Sequence, residues 1–319
     1  MLKRALRSLL DILFSKRLSA PTSAEQAALA LLLAEFRDLP IVTIAEQSPS
    51  EAEWADNMNK LRDLVLREDP RKFLQWGIVA HTMFIVYAPY IAKELRHLKH
   101  RQDWDARWKK ALLESPIGYP TPYIFYPKSS ANLIHHAYHV ARFEETIGRR
   151  IDSMDFIFEF GGGYGSMYRL IHNLGFRGKY IIFDLPPFSA LQRYYLRSLG
   201  FPVCSLSDFA NMKDTITCTS DLESLKGLLS DGSSLGNSLM IATWSLSETP
   251  ISIRDPLTPF LAYFESYLIA YQHRFGEVDN VKYFEHWKAS HTTVDWSSWS
   301  IPHMPGNSYL IGKPRMTHA

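Results

Sequence analysis

Three glycines near the middle of the chain follow an apolar run and precede a predicted helix. The run Phe156–Phe160 predicts a buried strand, and the helix is expected to begin near Ser166. Gly161, Gly163 and Gly165 lie between them. Because glycine has no side chain and adopts dihedral angles that other residues resist, a cofactor could lie directly against the main chain here. The order of strand, glycine-rich turn and helix is typical of a nucleotide-type cofactor site.

An acidic residue just before the turn bears on the identity of the cofactor. Glu159 stands two residues before the first glycine, where a dinucleotide site offers it no obvious partner because the helix N-terminus faces a pyrophosphate. S-Adenosylmethionine has no phosphate and carries a cationic amino group and a sulfonium. The pattern Glu-x-Gly-x-Gly-x-Gly therefore resembles motif I of class I S-adenosylmethionine-dependent methyltransferases. The resemblance implies cofactor contacts from Glu159 and from the turn, Gly161, Gly162, Gly163, Tyr164 and Gly165. A glycine-rich turn that is only a tight connection is the alternative.

A second acid ends the next predicted strand, Lys179–Asp184, about twenty residues beyond the glycines. At that place Asp184 can accept hydrogen bonds from both hydroxyls of a ribose, and Leu185 follows it. Enzymes that use NAD share this acid, so it indicates a nucleoside and does not identify the methyl donor.

The third strand has two candidates, residues 199–206 and residues 215–220, each followed by an aspartate. In this fold the loop after the third strand reaches the adenine, whose exocyclic amine needs an acceptor. We prefer Asp221 over Asp208 for this contact, because the chain leads from Asp221 directly to the next strand. Either aspartate has a second possible role as the cap of a helix.

The fourth predicted strand, Ser238–Trp244, is almost entirely apolar, as a central parallel strand should be. Ser245, Ser247 and Glu248 follow it at the carboxyl edge, where open sheets bind ligands. We assign Ser245 to the cofactor and Glu248 to the reacting groups. The alternative for Ser247 and Glu248 is that they cap the following helix.

Histidines supply the candidates for a general base. His135, His136 and His139 share one face of a predicted helix, but no cysteine or acid cluster nearby completes a metal site, so we predict no metal. Imidazole titrates near neutral pH and suits proton removal from a hydroxyl. We take His136 as one candidate. His303, in the turn of a predicted C-terminal hairpin, is the other, with a plain surface histidine as the alternative.

The composition is that of an ordinary globular protein, with 319 residues, 46% hydrophobic and 21% charged. A formal charge of +2 gives no basic face that would indicate nucleic acid. Cys204 and Cys218 are too few for a disulfide framework, and we expect a cytoplasmic protein. Residues 1–17 predict a basic amphipathic helix that packs on the protein or contacts a membrane surface.

Ahead of the glycine-rich segment the chain is expected to be mostly helical. Phe73–Ala92 is a run of twenty residues without a formal charge, but its polar residues and Pro89 favour a buried helix over a membrane span. We therefore predict a helical N-terminal region, residues 1–118, and a Rossmann-like methyltransferase domain, residues 119–319. The fold class is α/β, with a mostly parallel sheet and an antiparallel C-terminal strand.

Four segments together resemble a bacterial family of sugar O-methyltransferases: Phe158–Ser166, Phe183–Pro186, Trp244–Glu248 and His303–Gly312. The resemblance covers residues 120–314. It implies in-line transfer of a methyl group from S-adenosylmethionine to a hydroxyl of a saccharide, nucleotide-sugar or glycan, assisted by a general base. Two alternatives are an NAD(P)-dependent oxidoreductase of a nucleotide-sugar and a non-catalytic methyltransferase-like partner protein.

Overall fold

The computed structural model describes residues 18–42, 49–229 and 235–315. Within these ranges eight strands form one sheet. In chain order they are β1 Phe156–Phe160, β2 Lys179–Phe183, β3 Val203–Cys204, β4 Thr215–Thr219, β5 Ser238–Thr243, β6 Ser266–Gln272, β7 Val294–Ser300 and β8 Asn307–Pro314. Across the sheet the order is β7-β8-β6-β5-β1-β2-β4-β3, and neighbours run parallel except at β8, which is antiparallel to β6 and β7. The expected fold class is confirmed.

Helices cover both faces of this sheet. In chain order they are α1 Ser23–Asp38, α2 Pro49–Arg67, α3 Gly77–Thr82, α4 Ile91–Lys99, α5 Ala131–Ile147, α6 Ser166–Asn173, α7 Pro186–Ser198, α8 Leu206–Phe209, α9 Leu222–Leu229, α10 Ile251–Arg254, α11 Thr258–Leu261 and α12 Asn280–Ser290. Shorter helical pieces are Pro70–Gln75, Trp104–Trp108, Lys109–Ala111, Ile151–Ser153 and Leu246–Glu248. Two small hairpins pair Pro122–Tyr123 with Tyr126–Ser130 and Arg274–Phe275 with Val278–Asp279.

Two neighbouring strands at the centre, β1 and β5, position the candidate site. Every residue of β1 is buried, as are all but the last residue of β5, because helices lie against both faces of the sheet. Ile157 of β1 pairs with Leu239 of β5 in parallel register. The turn after β1 and the polar residues after β5 therefore meet at one edge of the sheet.

Both candidates for the third strand form, and they differ in position. β4 pairs with β2 along its whole length, whereas β3 is a two-residue strand at the outer edge, beside β4. The loop after β4 is thus the one that follows a strand adjacent to β2.

The prediction of one buried helix over residues 73–92 is wrong. A 3-10 helix ends at Gln75, α3 stops at Thr82, and α4 begins only at Ile91. Pro89 cannot donate a helical hydrogen bond, so the segment before α4 leaves the helical path. No helix in the described part of the chain has both the length and the apolar character needed to cross a membrane.

The helical N-terminal region and the sheet share one hydrophobic core. Buried Leu32 and Phe36 of α1 belong to the same cluster as Leu268 of β6 and Ile311 of β8. A division at residue 118 stays a prediction. The basic helix predicted for residues 1–17 lies outside the described residues.

Candidate active site

The first two glycines of the turn after β1 pack too closely on their surroundings to carry side chains. Gly161 has a φ of +71°, and a Cβ there would lie 2.3 Å from the Ser245 Cβ. A Cβ at Gly162 would lie 2.5 Å from Cγ2 of Ile182 in β2. The Ser245 hydroxyl donates to the carbonyl of Phe160. The turn is therefore clamped between the ends of β2 and β5.

Glu159 is a buried carboxyl at the end of β1, with 3% of its surface exposed. The Tyr180 hydroxyl donates to Glu159 Oε2 at 2.8 Å. Burial raises the pKa of Glu159 to about 8, and the nearby Asp184 carboxylate adds to this effect. This partner is a neutral hydroxyl, so the ionised group would gain from a cationic ligand.

Asp184 lies beside it, just after β2. Its carboxylate accepts from the backbone nitrogen of Leu185 and from Nε2 of Gln192, both at 2.8 Å. Burial raises the pKa of Asp184 to about 7, although these bonds and the backbone of Gly162 and Gly163 oppose the rise. Two carboxyls thus face the glycine-rich turn from neighbouring strands.

A cavity of about 840 Å³ opens next to these groups. Among the residues predicted to bind the cofactor, those that line it are Glu159, Gly161, Gly162, Gly163, Asp184, Leu185 and Ser245. Of the residues predicted to be catalytic, His136 and Glu248 line it. The size is within the range of small-molecule and cofactor sites.

Three residues predicted to bind the cofactor are not among the described residues that line the cavity. Tyr164 is 1% exposed, and its ring packs edge-on against Phe73. Gly165 is the N-cap of α6, and Leu196 lies against it. Asp221 is exposed and accepts from the nitrogen and the hydroxyl of Ser224. Tyr164 and Gly165 thus lie in the core and Asp221 caps α9, and cofactor contacts from these three residues stay predictions.

The histidines of α5 form one wall of the cavity. His135, His136 and His139 all line it. His136 Nδ1 lies 2.9 Å from the Ser166 hydroxyl, and burial lowers the pKa of His136 to about 3. His139 pairs through Nδ1 with the Tyr309 hydroxyl, and burial holds its pKa well below the ordinary value. In the described part of the chain, no group of three His, Cys, Asp or Glu side chains could hold a metal ion.

A buried carboxylate that the sequence analysis missed lies behind this wall. Glu94 of α4 is 0% exposed, and His135 Nδ1 lies 2.9 Å from both of its oxygens. His303 Nε2 lies 2.9 Å from Glu94 Oε1. Although burial favours the neutral acid, the two imidazoles keep the pKa of Glu94 below its ordinary value. The carboxylate is therefore shared between two histidines.

His303 is absent from the described cavity lining, and its role as the base stays a prediction. Its side chain is 8% exposed and is engaged with Glu94. The sequence did contain a signal for the buried acid. Ile91, Leu95 and Leu98 form the buried stripe of α4, and Glu94 follows Ile91 by three residues, on the same face.

Trp244 connects the turn to the histidine wall. It directly precedes Ser245, has a φ of +66°, and donates from Nε1 to Asn307 Oδ1 at 2.6 Å. Its ring stacks on that of His135, with centroids 5.3 Å apart and planes at 26°. Ser245, which packs against Gly161, is thus the next residue in the chain after Trp244, which stacks on His135.

The helical N-terminal region closes the opposite side of the cavity. Trp54 of α2 donates from Nε1 to the carbonyl of Glu248 at 3.2 Å and meets Phe188 edge-on. Burial raises the pKa of Glu248 to about 7, and the charge of Glu53 contributes. The cavity is therefore built jointly by the sheet edge and the N-terminal helices.

The sequence matches no protein-family model and no curated protein. Three solved structures that resemble the fold are PigF with SAH, the METTL16 MTase domain and magnesium protoporphyrin IX methyltransferase from Synechocystis PCC 6803 with bound SAH. Their identities are 14%, 12% and 10%, and their TM-scores are 0.34, 0.36 and 0.36. The matches cover 98%, 90% and 71% of this chain and 99%, 91% and 100% of the others. At such low values they add nothing to the Rossmann-like fold already described.

Proposed function

We propose that this protein is an S-adenosylmethionine-dependent methyltransferase. The observation that carries the proposal is a pair of carboxyls, buried Glu159 and partly buried Asp184, at the ends of adjacent parallel strands beside the glycine-rich turn. The pKa of each is raised by burial. A cationic group would compensate Glu159 in its ionised form, and Asp184 would accept from a ribose. A pyrophosphate beside the turn would disfavour ionisation of Glu159 and leave it without a partner.

The donor set fits S-adenosylmethionine residue by residue. Glu159 would attract the cationic amino group, and Asp184 would accept from the ribose hydroxyls. Gly161, Gly162 and Gly163 would let the cofactor lie against the backbone. When bound, the cofactor supplies a methyl group on a sulfonium, which is already a strong electrophile. The protein then has mainly to position an acceptor and manage its proton.

The acceptor we propose is a hydroxyl of a sugar. The resemblance of residues 120–314 to sugar O-methyltransferases supports this class. The lining also suits it, since Trp54, Trp244 and Tyr90 offer flat apolar faces while Glu53 and Glu248 offer hydrogen-bond acceptors. Sugar sites combine these two kinds of contact, because a pyranose has apolar faces and polar edges.

The test is calorimetric titration with S-adenosylmethionine, S-adenosylhomocysteine and NADH, followed by transfer of a labelled methyl group to the methyl glycosides of glucose, galactose and rhamnose. We expect binding of the first two ligands and methylation within the glycoside panel. Binding of NADH alone would replace the proposal with an oxidoreductase, and binding of none of the three would favour a non-catalytic partner protein. Cofactor binding with methylation only of other acceptors would overturn the sugar assignment alone.

A further inference from the structure

The proposed cofactor contacts do not involve Glu94 or His135, yet His135 lines the cavity and Glu94 lies directly behind it. We propose that His135, oriented by Glu94, is the general base that takes the proton of the acceptor hydroxyl. This inference rests on the proposed methyltransferase function and deepens it. His135 would be a catalytic residue and Glu94 a positioning residue.

Hydrogen-bond geometry fixes which nitrogen of His135 is available. A carboxylate can only accept, so His135 Nδ1, which lies 2.9 Å from both oxygens of Glu94, carries a proton and donates it. In the neutral ring Nε2 is then the nitrogen with a lone pair. It has no hydrogen-bond partner among the described residues, and the ring lines the cavity. Nε2 is thus the atom free to accept a proton from a ligand.

Contacts with residues next to the glycine-rich turn fix the position of the His135 ring. Stacking on Trp244 holds the plane of His135, and Ser245, the next residue, contacts the glycine-rich turn. On α5 itself, His136 reaches the Ser166 hydroxyl, and Asn132 donates to the same hydroxyl at 3.2 Å. The base and the turn are therefore fixed relative to each other by two independent sets of contacts.

The other histidines are less suited to this role. His136 and His139 also line the cavity, but burial lowers the pKa of each, to about 3 for His136 and well below the ordinary value for His139. In place of a carboxylate, His136 faces the Ser166 hydroxyl and His139 the Tyr309 hydroxyl. His303 has the carboxylate but is not among the described lining residues. Within the described chain, His135 is the histidine that both lines the cavity and contacts a carboxylate.

The charge balance of the reaction explains why a buried carboxylate is useful here. As the acceptor oxygen takes the methyl group, a C–O bond forms and the S–C bond breaks, leaving neutral S-adenosylhomocysteine. The hydroxyl proton moves to His135 Nε2. The positive charge that leaves the sulfur thus reappears on an imidazolium, which Glu94 stabilises at hydrogen-bond distance. The base is needed for a hydroxyl acceptor, whose proton is not lost at neutral pH by itself.

Several titratable groups face this pair and would shape its pH dependence. Tyr90, at the start of α4, lies with its ring centroid 5.5 Å from that of His135. His139 is 4.1 Å away by the same measure, and His303 shares the Glu94 carboxylate. His136 adjoins His135 on α5. Burial raises the pKa of Tyr90, so the phenol stays neutral.

The experiment compares His135→Gln and Glu94→Gln with a matched pair on the surface. His97 and Glu145 make a histidine–carboxylate contact of the same 2.9 Å length, but their side chains are 33% and 31% exposed. His97→Gln and Glu145→Gln are the controls. For each variant one measures the calorimetric Kd for S-adenosylhomocysteine, and kcat, KM and the pH profile of kcat with the glycosides defined above.

We expect His135→Gln to lower kcat by about 100-fold or more, the usual contribution of a general base, with Kd and KM little changed. In Glu94→Gln the acidic limb of the kcat profile should move to lower pH, because the charge that favours the imidazolium is gone. Imidazole added to His135→Ala should restore part of the rate. The controls should behave as wild type.

Wild-type kcat in His135→Gln, or an unmoved pH profile in Glu94→Gln, would overturn the inference. If Glu94→Gln does not fold, kcat of His135→Gln and the rescue of His135→Ala by imidazole decide. If no glycoside is methylated, nitrogen-15 spectra of the complex with S-adenosylhomocysteine decide. A proton on Nδ1 of neutral His135 supports the inference, and a proton on Nε2 refutes it. Failure to bind S-adenosylhomocysteine is a separate result and would refute the proposed function.

Discussion

Single residues decide whether the cavity can accept a cationic nucleoside. Glu159 and Asp184 could be predicted from the sequence, because an acid at the end of a strand next to glycines has a defined place in this fold. The Glu94–His135 contact could not, since it joins residues whose sequence separation is 41. His136 and His135 are adjacent on one helix, and only the packing of α4 shows which of them meets a carboxylate.

The two strand-end acids give the first prediction. Glu159→Gln and Asp184→Asn keep the shape of each side chain and remove its charge. We expect each to weaken binding of S-adenosylmethionine by about 10-fold to 100-fold, the size of a lost hydrogen bond to a charged group. Calorimetry at pH 8 measures this. Asp208→Asn, an exposed aspartate bonded to Ser205, is the control, and equal affinity in all four proteins would contradict the site.

The raised pKa values predict how stability depends on pH without a cofactor. Those of Glu159, Asp184 and Glu248 rise to about 8, 7 and 7, so the folded protein holds protons that the unfolded chain has released. Their contribution to stability is complete below the ordinary carboxyl pKa and is lost as pH rises through 7 to 8.

Thermal unfolding should show this loss as a Tm that falls between about pH 6 and pH 9. Glu159→Gln should have a flatter profile and, at the upper end, a higher Tm than wild type. The corresponding change at an exposed aspartate, Asp208→Asn, should leave the profile as it is. A wild-type Tm that rises over the same range would show that burial of these carboxyls has little energetic effect.

At the scale of elements, the alternation of strands and helices after residue 150 was predictable, because apolar runs, glycines and prolines there mark boundaries locally. The segment 73–92 was not predictable in the same way. Its apolar residues fit a helix, but Pro89 and the packing of α3 against α2 divide it. The two candidates for the third strand could not be ranked from the sequence either. Only the pairing of strands in the sheet shows that one is next to β2 and the other is at the edge.

The close packing of the glycine-rich turn against Ser245 gives a further prediction. In Gly161→Ala the new Cβ would lie 2.3 Å from Ser245 Cβ at a φ of +71°. We expect a loss of about 1–3 kcal/mol in the free energy of unfolding from the strained backbone, and loss of cofactor binding. Urea unfolding and calorimetry measure the two effects.

Gly227→Ala is the matched control for this change. Gly227 lies inside α9, and no heavy atom lies within 4 Å of an added Cβ. Alanine is favoured over glycine in a helix, so this variant should gain about 0.5–1 kcal/mol. Replacing glycine with alanine should therefore lower the free energy of unfolding at position 161 and raise it at position 227. A destabilised Gly227→Ala together with a stable Gly161→Ala would contradict the described packing.

At the scale of the whole molecule, the helices before residue 118 are part of the structure that forms the cavity. α1 packs on α7, and Arg193 of α7 donates to Glu35 of α1 at 2.6 Å. We expect one cooperative unfolding transition, with tryptophan fluorescence and circular dichroism giving the same midpoint. Two separate transitions would show that the regions on either side of the predicted boundary at residue 118 unfold independently.

The Glu94 carboxylate joins three distant parts of the chain, with His303 at a separation of 209 residues. During synthesis on a ribosome, the glycine-rich turn and its two acids emerge long before the C-terminal hairpin. A nascent chain could therefore meet the cofactor while Glu94 still lacks its second imidazole. Completion of that contact depends on the last strands to be translated, so any chain cut short before residue 303 would lack part of the polar cluster that fixes His135.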